Sequence, residues 1–337
     1  MEIKELLYTL SELDCVGSIT DAADKAYEIL SQYAKTEKTD TYNVIGYLKG
    51  KSDYTIMLDA HIDQVGFVVT DVDDNGFLTV ATAGGIDLRA LPSRAVTVHG
   101  KEKITAVFCS TPPHLSDGET EYTDISKIKL DTALGQKAKD VVSVGDYVTF
   151  NSPCFELLGD FVGGRSFDDR AGVVCLLELA KRLSDKELPV NVAFVLSGGE
   201  ELGLRGAVTT AFSVEPDEAI AIDVDFGDSP DAPSDQTSVL GNGGIITFSP
   251  ILEKSLNKKL ITIATENNIP YSTYVTGGKT CTDADMISIS REGVKTTVLS
   301  IPLRNMHSEL EILSLSDLTF ICDLLEKYIL SGGVFNA

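Results

Sequence analysis

The chain has 337 residues, of which 43% are hydrophobic and 23% are charged, a composition typical of a globular protein rather than a disordered one. Lys and Arg number 28 while Asp and Glu number 51, so the formal net charge is −23. Because so acidic a surface repels phosphate backbones and anionic lipid, we expect neither nucleic acid nor a membrane as a partner.

The sequence shows no sign of export. No apolar run reaches the roughly 20 residues that span a bilayer, and the N-terminal segment MEIKE is not a basic region followed by an apolar stretch. The six cysteines lack the spacing of a metal finger, which favours free buried thiols. We therefore expect a cytoplasmic protein.

The N-terminal part of the chain predicts two helices and a buried strand. Apolar residues at three-to-four spacing over 4–34 are typical of helices, with Gly17 as the break between them. Residues 54–58 form a short apolar run with β character. That predicted strand leads directly into the polar segment 59–63.

Residues 70–158 have the pattern of a small all-β unit. Two β-rich segments flank Asp74-Asn75-Gly76, a strong signal for a hairpin turn. Two more flank a turn at Gly100, and another β-rich segment covers 142–150. We therefore predict an inserted, barrel-like β domain over 70–158, with a role in oligomerisation or substrate access.

From about residue 160, strands and helices alternate. Amphipathic helices are predicted at 171–183, 254–267 and 315–330, and apolar strands at 190–196, 219–224 and 294–301. Alternation of this kind predicts an α/β domain with a mostly parallel central sheet and helices on both faces. We assign 1–69 and 159–337 to this domain.

Acidic residues and histidines stand at the ends of the predicted strands, where open α/β sheets bind ligands. Taken one at a time, each has an ordinary structural explanation; Asp168, for example, precedes a helix and would suit a cap. Asp223 is harder to explain in this way, because it interrupts an apolar strand where an unpaired carboxylate is costly. Taken together, they predict a site for two divalent cations, with Asp168 bridging and with these ligands: His61, Asp168, Glu201, Asp223 and His307.

The charge balance supports a site of this kind. Two divalent cations carry +4 and three carboxylates carry −3, so a bound hydroxide would neutralise the site. Two cations about 3.5–4 Å apart lower the pKa of a shared water toward 7 and stabilise a tetrahedral oxyanion. Nitrogen and oxygen ligands suit Zn²⁺, with Co²⁺ or Mn²⁺ as alternatives.

Two neighbouring residues have predicted supporting roles. Asp63 lies two residues after His61, on the same side of an extended chain, and is expected to hold the second imidazole nitrogen. Glu200 and Glu201 are adjacent, so their side chains diverge. One of them is then free to face the water as a general base while the other binds metal.

These segments resemble the TET-type glutamyl aminopeptidase family, which are cytosolic di-metal aminopeptidases with a β-barrel-like insert. The resemblance extends over nearly the whole chain and rests on AHIDQVGF (60–67), FDDRAG (167–172), EELGLRGA (200–207), AIDV (221–224), TDA (282–284) and IPLRNMHS (301–308), with SVGD (143–146) in the insert.

The resemblance implies a role for each site residue. It implies that His61, Asp168 and Asp223 hold one cation and that Asp168, Glu201 and His307 hold the other. It also implies that Glu200 is the base and that Asp63 is the partner of His61. Members of the family often form large cage-like homo-oligomers, commonly dodecamers, so it implies such an assembly here.

The sequence departs from the family pattern at three places. Gln64 stands where the family usually has Glu, which predicts altered local hydrogen bonding with metal binding retained. Gly198 and Gly199 replace a bulkier approach to the two glutamates, which predicts a looser loop at Glu200. Residues 223–226 lack the Thr-His that follows this Asp in many members, so we expect a different pocket rim.

We predict a metallo-aminopeptidase that removes N-terminal residues from peptides with a free N-terminus, through a metal-bound hydroxide and Glu200 as general base. An inactive or peptide-binding relative is an alternative raised by Gly198 and Gly199. A glycoside hydrolase, a label that relatives have carried, needs two carboxylates about 5–10 Å apart and would leave the histidines unused. Lys279 and Arg304 are candidates to attract acidic side chains, but the preferred N-terminal residue is left open.

Overall fold

The chain forms an eight-stranded sheet, a small three-stranded sheet and a closed β-barrel in a computed structural model that describes residues 1–115, 124–230 and 232–334. The helices are α1 (Ile3–Ser11), α2 (Asp21–Leu30), α3 (Ala138–Val141), α4 (Phe167–Leu183), α5 (Arg205–Val214), α6 (Lys254–Glu266), α7 (Ala284–Ile287) and α8 (Leu315–Leu330). None of the helices in these ranges has both the length and the apolar character to cross a bilayer.

The strands follow in chain order. They are β1 (Lys35–Lys38), β2 (Val44–Leu48), β3 (Thr55–His61), β4 (Gly66–Val72), β5 (Phe77–Ala83), β6 (Ala95–His99), β7 (Lys103–Phe108), β8 (Leu130–Asp131), β9 (Tyr147–Phe150), β10 (Phe155–Glu156), β11 (Phe161–Gly164), β12 (Asn191–Ser197), β13 (Glu218–Phe226), β14 (Gly244–Phe248), β15 (Tyr271–Val275), β16 (Lys295–Leu303) and β17 (Glu311–Ser314).

The large sheet is mixed, so the expectation of a mostly parallel sheet is not confirmed. Its strand order is β1-β2-β12-β3-β13-β16-β14-β15. The centre, from β12 to β16, is a continuous parallel block, and β14 and β15 form a further parallel pair at one edge. Strands β1 and β2 pair antiparallel because a short turn joins them. The chain returns from β13 to β14 without a crossover helix among its described residues, so β14 runs antiparallel to β16.

Helices cover both faces of this sheet, as the alternation of strands and helices predicts. Along β3, Ile56 and Leu58 belong to the apolar core under α4 and α8, whereas Met57 belongs to the core under α5 and α7. The same alternation occurs along β13, because successive side chains of a strand point to opposite faces. The central strands are therefore buried on both sides, and only their ends reach solvent.

The inserted β region contains a closed barrel with its own apolar core. The barrel strands, in the order β4-β5-β8-β7-β6-β9, begin at Gly66 and end at Phe150. Phe67 packs edge-to-face against Phe108 and Phe150, with ring centroids 5.1 and 5.6 Å apart. The division of the chain at 70 and 158 stays a prediction, and part of that range, 116–123, lies outside the described residues.

Candidate active site

The predicted site residues lie at one edge of the large sheet. His61 is the last residue of β3, and Asp223 is near the end of β13. Glu200 and Glu201 follow β12, and His307 follows β16. Because these four strands are parallel neighbours, their carboxyl ends meet at the same edge, which is where such sheets bind ligands.

Asp168 lies between the two histidines. Its Oδ1 is 3.0 Å from His61 Nε2, and its Oδ2 is 3.2 Å from His307 Nε2. Only 5% of Asp168 and 2% of His61 are exposed. One buried carboxylate therefore presents a separate oxygen to each of two imidazoles that come from distant parts of the chain.

The remaining predicted ligands surround this trio. Asp223 Oδ1 is 3.9 Å and Glu200 Oε2 is 4.0 Å from His61 Nε2, and Glu201 Oε1 is 3.6 Å from His307 Nε2. All five predicted ligands and Glu200 thus come together in the folded chain.

Three groups of these side chains have ligand atoms within 4.8 Å of one another. One group, Asp168 with Glu201 and His307, equals one of the two expected ligand sets. A second group joins His61 to Glu200 and Glu201, and the third joins it to Asp169 and Asp223.

Asp169 is a site residue that the sequence reasoning missed. It is fully buried, its Oδ1 accepts a hydrogen bond from Gly172 N at 3.0 Å, and its Oδ2 has no partner among the described residues. Asp168 and Asp169 have non-helical backbone angles at the start of α4, so the pair does not form a regular helix cap. The sequence offered only two adjacent acidic residues before a helix, a pattern that also suits a helix cap.

Asp63 contacts the loop that carries the two glutamates. Its Oδ1 accepts a hydrogen bond from Glu200 N at 3.0 Å, and its Oδ2 accepts one from Glu201 N at 3.3 Å. The expected contact with His61 Nδ1 spans 3.6 Å, which is longer than a hydrogen bond. Asp63 therefore orients the glutamate loop directly, and its role as the partner of His61 stays a prediction.

The same loop has two further anchors, although it contains the glycines expected to loosen it. Gly198 N donates to Asn43 Oδ1 at 2.8 Å. Ser197 Oγ is 2.6 Å from Asp283 Oδ2 and 3.2 Å from Asp59 Oδ2.

Asn43, Asp59 and Asp283 escaped the sequence reasoning as supporting residues. Burial raises the pKa of both Asp59 and Asp283. The available signal for Asp59 was its position, because it is a polar residue within a buried strand and lies two positions before His61.

Glu311 connects the two halves of the site. Its Oε2 accepts hydrogen bonds from Phe167 N at 2.7 Å and Asp168 N at 3.2 Å, and its Oε1 accepts one from His307 N at 3.1 Å. Strand β17 brings this side chain beside the start of α4 through its antiparallel pairing with β11. Nothing in the local sequence singled out Glu311, because its partners are almost all distant in the chain.

The barrel also reaches the site, through the loop after β5. A Cβ added to Gly84 would lie 3.2 Å from Glu201 Oε2, and one added to Gly85 would lie 3.2 Å from His307 Nδ1. Asp87 N donates to the His307 carbonyl at 3.4 Å. The loop therefore packs against two predicted ligands, and side chains there would crowd them.

The buried charges change the ionisation of the site residues. Burial opposes ionisation of Asp168, but the hydrogen bonds from His307 and His61 outweigh it and lower the pKa of Asp168. The hydrogen bond to Asp168 in turn raises the pKa of His307. Burial and the neighbouring carboxylates raise the pKa of Glu200 to about 7 and raise the pKa of Glu201 and Asp223 well above their usual range.

The site opens into a cavity of about 680 Å³. The cavity is also lined by residues of β15, of the loop that follows it and of α7, among them Tyr274, Lys279 and Asp285. Asp285 is engaged with that loop, because it accepts hydrogen bonds from Thr280 and from the Cys281 amide. Arg304 does not line this cavity.

Arg304 is bound elsewhere. Its Nη2 forms an ion pair with Asp228 Oδ1 at 2.8 Å, and its guanidinium lies 5.9 Å from the ring centroid of Phe161. Of the two cations considered for attracting an acidic substrate, only Lys279 therefore faces the cavity.

These side chains could hold metal ions, and comparison with known proteins identifies the family. The family model for M42 glutamyl aminopeptidase matches residues 42–324, so the chain belongs to this family and is a hydrolase acting on peptide bonds. It is 30% identical to lysyl aminopeptidase of Pyrococcus furiosus over 309 residues, which cover 87% of this chain and 86% of that protein.

Two solved structures are also similar to this chain. An aminopeptidase from the archaeon Desulfurococcus kamchatkensis superimposes with a TM-score of 0.91 at 30% identity, covering 98% of this chain and 94% of the other. The TET1 peptidase of Pyrococcus horikoshii gives a TM-score of 0.87 at 31% identity, covering 97% and 99%. That peptidase assembles into a tetrahedron or a large octahedral shell.

The residues of the site fit the metal dependence of this family. Four carboxyl groups with little or no exposure meet here in two close pairs, Asp168 with Glu201 and Asp169 with Asp223, each with oxygens within 4.8 Å. Buried carboxylates repel one another and lose their hydration, so cations between them would remove a large electrostatic cost. Imidazole nitrogens and carboxylate oxygens are also the donors that divalent zinc, cobalt and manganese accept.

Proposed function

We propose that this protein is a di-metal aminopeptidase that acts on peptides with a free N-terminus. His61, Asp168 and Asp223 would hold one divalent cation, and Asp168, Glu201 and His307 would hold the other. The observation that carries the proposal is the position of Asp168, whose two oxygens lie 3.0 and 3.2 Å from the two imidazoles. Such a carboxylate is suited to bridge two cations, which we expect to be Zn²⁺, with Co²⁺ or Mn²⁺ as alternatives.

The bound cations would supply Lewis-acid polarisation of the scissile carbonyl and a lower pKa for a water molecule. Glu200 lines the cavity, and no hydrogen bond to its carboxylate is found among the described residues; its Oε2 is 4.0 Å from His61 Nε2. It takes a proton from the attacking water and donates one to the leaving amine. Asp63 orients Glu200 for this task, because its carboxylate accepts hydrogen bonds from the backbone amides of Glu200 and Glu201.

We also propose a homo-oligomer, with a dodecamer as the expected form, because the TET1 relative forms closed shells and this chain aligns with nearly all of it. A cytoplasmic location stays a prediction. The alternative of an inactive relative gains no support from the glutamate loop, since the hydrogen bonds to Asn43 and Asp63 hold it in spite of its glycines. A catalytic role of Glu200 would therefore distinguish an active aminopeptidase from an inactive relative.

The experiment measures hydrolysis of aminoacyl p-nitroanilides by protein purified without chelator, with metal content measured by elemental analysis. We expect two cations per chain, turnover of substrates with a free amino group, no turnover of N-acetylated ones, and loss of activity on chelation. Glu200→Gln keeps the size of the side chain but removes the base, so we expect kcat to fall about 10²–10⁴-fold with metal content unchanged. Glu292→Gln, at an exposed position outside the site, is the matched control.

Each contrary result has a definite meaning. Full activity of Glu200→Gln would remove Glu200 from the mechanism. Loss of metal from that variant would make Glu200 a ligand, as its place beside His61 and Glu201 allows. Absence of turnover of any unblocked peptide by the metal-loaded protein would favour the inactive relative.

A further inference from the structure

Asp225 places an additional carboxylate on the wall of the cavity. It lies two residues after Asp223 on β13, so both side chains project from the same face of the strand. A strand rises about 3.3 Å per residue, which puts Asp225 about 6–7 Å further along the strand than the predicted ligand. Both residues line the cavity.

Asp225 has no cation to neutralise it within the described part of the chain. The one hydrogen bond recorded for its carboxylate is the 2.7 Å bond that Oδ1 accepts from the amide of the next residue, Phe226. The other acidic groups around the cavity are engaged differently. Asp285 accepts hydrogen bonds from the backbone amides of Thr280 and Cys281, and the remaining carboxylates surround His61 and His307.

The surroundings of Asp225 suit a long aliphatic side chain that ends in a charge. Val224, Val298 and Met306 line the same cavity, and Phe226 at its rim is 57% exposed. Lysine and arginine lay their methylene stems along apolar surface while the charged end reaches a polar partner. A volume of about 680 Å³ leaves room for such a side chain next to the site of bond cleavage.

We propose that Asp225 selects peptides whose N-terminal residue is lysine or arginine. This inference rests on the proposed aminopeptidase function and assigns its substrate class. The ammonium or guanidinium group of the first residue binds the Asp225 carboxylate while its carbonyl lies at the predicted metal ligands. The α-amino group and the scissile bond are common to all substrates, so the preference comes from the side chain alone.

Lys279 is the competing determinant, since it also lines the cavity and would favour an acidic residue. It is exposed on a loop, where its flexible side chain loses conformational entropy on pairing and solvent screens the interaction. Asp225 is half-buried on a strand of the central sheet, where charges interact more strongly because the surroundings are less polar. The geometry therefore favours a basic substrate.

The test compares kcat/KM for Lys, Arg, Met and Glu p-nitroanilides on metal-loaded protein. Met is the neutral reference because its length is close to that of lysine. We expect Lys and Arg to exceed Met at least tenfold and Asp225→Asn to lower the Lys-to-Met ratio about tenfold. Asp225→Glu, which keeps the charge, should retain most of the preference, and Lys279→Met should not lower the ratio. Melting curves establish that each variant is folded.

Three results would overturn the proposal. The first is a preference for Glu that disappears in Lys279→Met, which would make Lys279 the determinant. The second is an equal loss for all substrates in Asp225→Asn, which would place the Asp225 carboxylate at the α-amino group. The third is equal affinity for free L-lysine and L-methionine, measured by calorimetry. Because calorimetry needs no turnover, it tests the substrate class even if the protein proves to be inactive.

Discussion

Gln64 is a single residue whose role became visible only with its neighbours. It stands at a position where the sequence resemblance leads one to expect Glu, and its Oε1 accepts hydrogen bonds from Arg170 Nη2 and Cys15 N, each at 3.1 Å. Arg170 is fully buried, and its Nη1 donates to the Leu10 carbonyl at 2.9 Å. Burial lowers the pKa of Arg170, yet a guanidinium stays charged in proteins. The neutral amide oxygen of Gln64 thus accepts a hydrogen bond directly from the buried, charged guanidinium of Arg170.

Removing that acceptor should destabilise the protein. We expect Gln64→Leu to lower the free energy of unfolding by about 2–4 kcal/mol, because a buried charged donor and a buried amide both lose their partner. Urea denaturation followed by circular dichroism measures this change. Gln64→Glu is the matched control, because it keeps an oxygen at the same place and should unfold near the wild-type midpoint or above it. Equal midpoints for Leu and wild type would show that Gln64 does not support Arg170.

At the scale of elements, the loop between β12 and α5 has a strict backbone requirement at Gly199. Gly199 has φ of +80°, in the left-handed region that residues with a Cβ rarely adopt. It lies between the Gly198 amide held by Asn43 and the Glu200 amide held by Asp63. The two glycines that suggested a loose loop therefore allow a turn with fixed ends.

Replacing Gly199 should disturb this turn and, with it, Glu200. We expect Gly199→Ala to lower the free energy of unfolding by about 1–3 kcal/mol, the range for a strained left-handed residue. We also expect kcat to fall tenfold or more, because small displacements of a catalytic group are costly. Thermal unfolding and p-nitroanilide hydrolysis measure the two effects.

Gly277→Ala is the control, since an added Cβ there has no heavy atom within 4 Å and no left-handed angle to maintain. A Gly199→Ala protein with wild-type stability would contradict the strain argument. Wild-type kcat with reduced stability would show that the position of Glu200 tolerates the change.

At the scale of the whole molecule, the net charge of −23 acts on the proposed assembly. Copies of so acidic a chain repel one another, and the repulsion reaches further at low ionic strength, because the Debye length is about 30 Å at 0.01 M and about 8 Å at 0.15 M. Burial of apolar surface between subunits is much less dependent on salt at these concentrations. Assembly should therefore be weakest in dilute buffer.

We expect light scattering after size exclusion to give a mass near twelve times the 36.2 kDa of one chain in 0.15 M NaCl. Lowering the salt to 0.01 M should shift the population toward smaller species, and restoring it should reverse the shift. Repeating the measurement over a range of protein concentrations separates dissociation from a change of shape. A mass of 36.2 kDa at every salt and protein concentration would exclude the oligomer.

The sequence alone indicated the elements whose pattern is long and local. Apolar spacing predicted α4, α6 and α8, and the Asp-Asn-Gly turn predicted the hairpin of β4 and β5, with ends displaced by only a few residues. The sequence also singled out the predicted ligands, which the fold brings together, because a charged residue such as Asp223 in an apolar strand needs a partner. These signals depend on a few neighbouring residues, so they survive without the fold.

Only the tertiary structure decided which strands run antiparallel and which side chains support the site. Asn43, Asp283 and Glu311 act through hydrogen bonds to residues far away in the chain. Asp283 lies in a segment that resembles the family, but no local pattern assigned any of the three a supporting role. The same holds for the carboxylate of Asp225, whose significance depends on the finding that no cationic side chain in the described ranges pairs with it. Backbone periodicity is a local property, whereas the pairing of charges and amides depends on the spatial neighbours that folding creates.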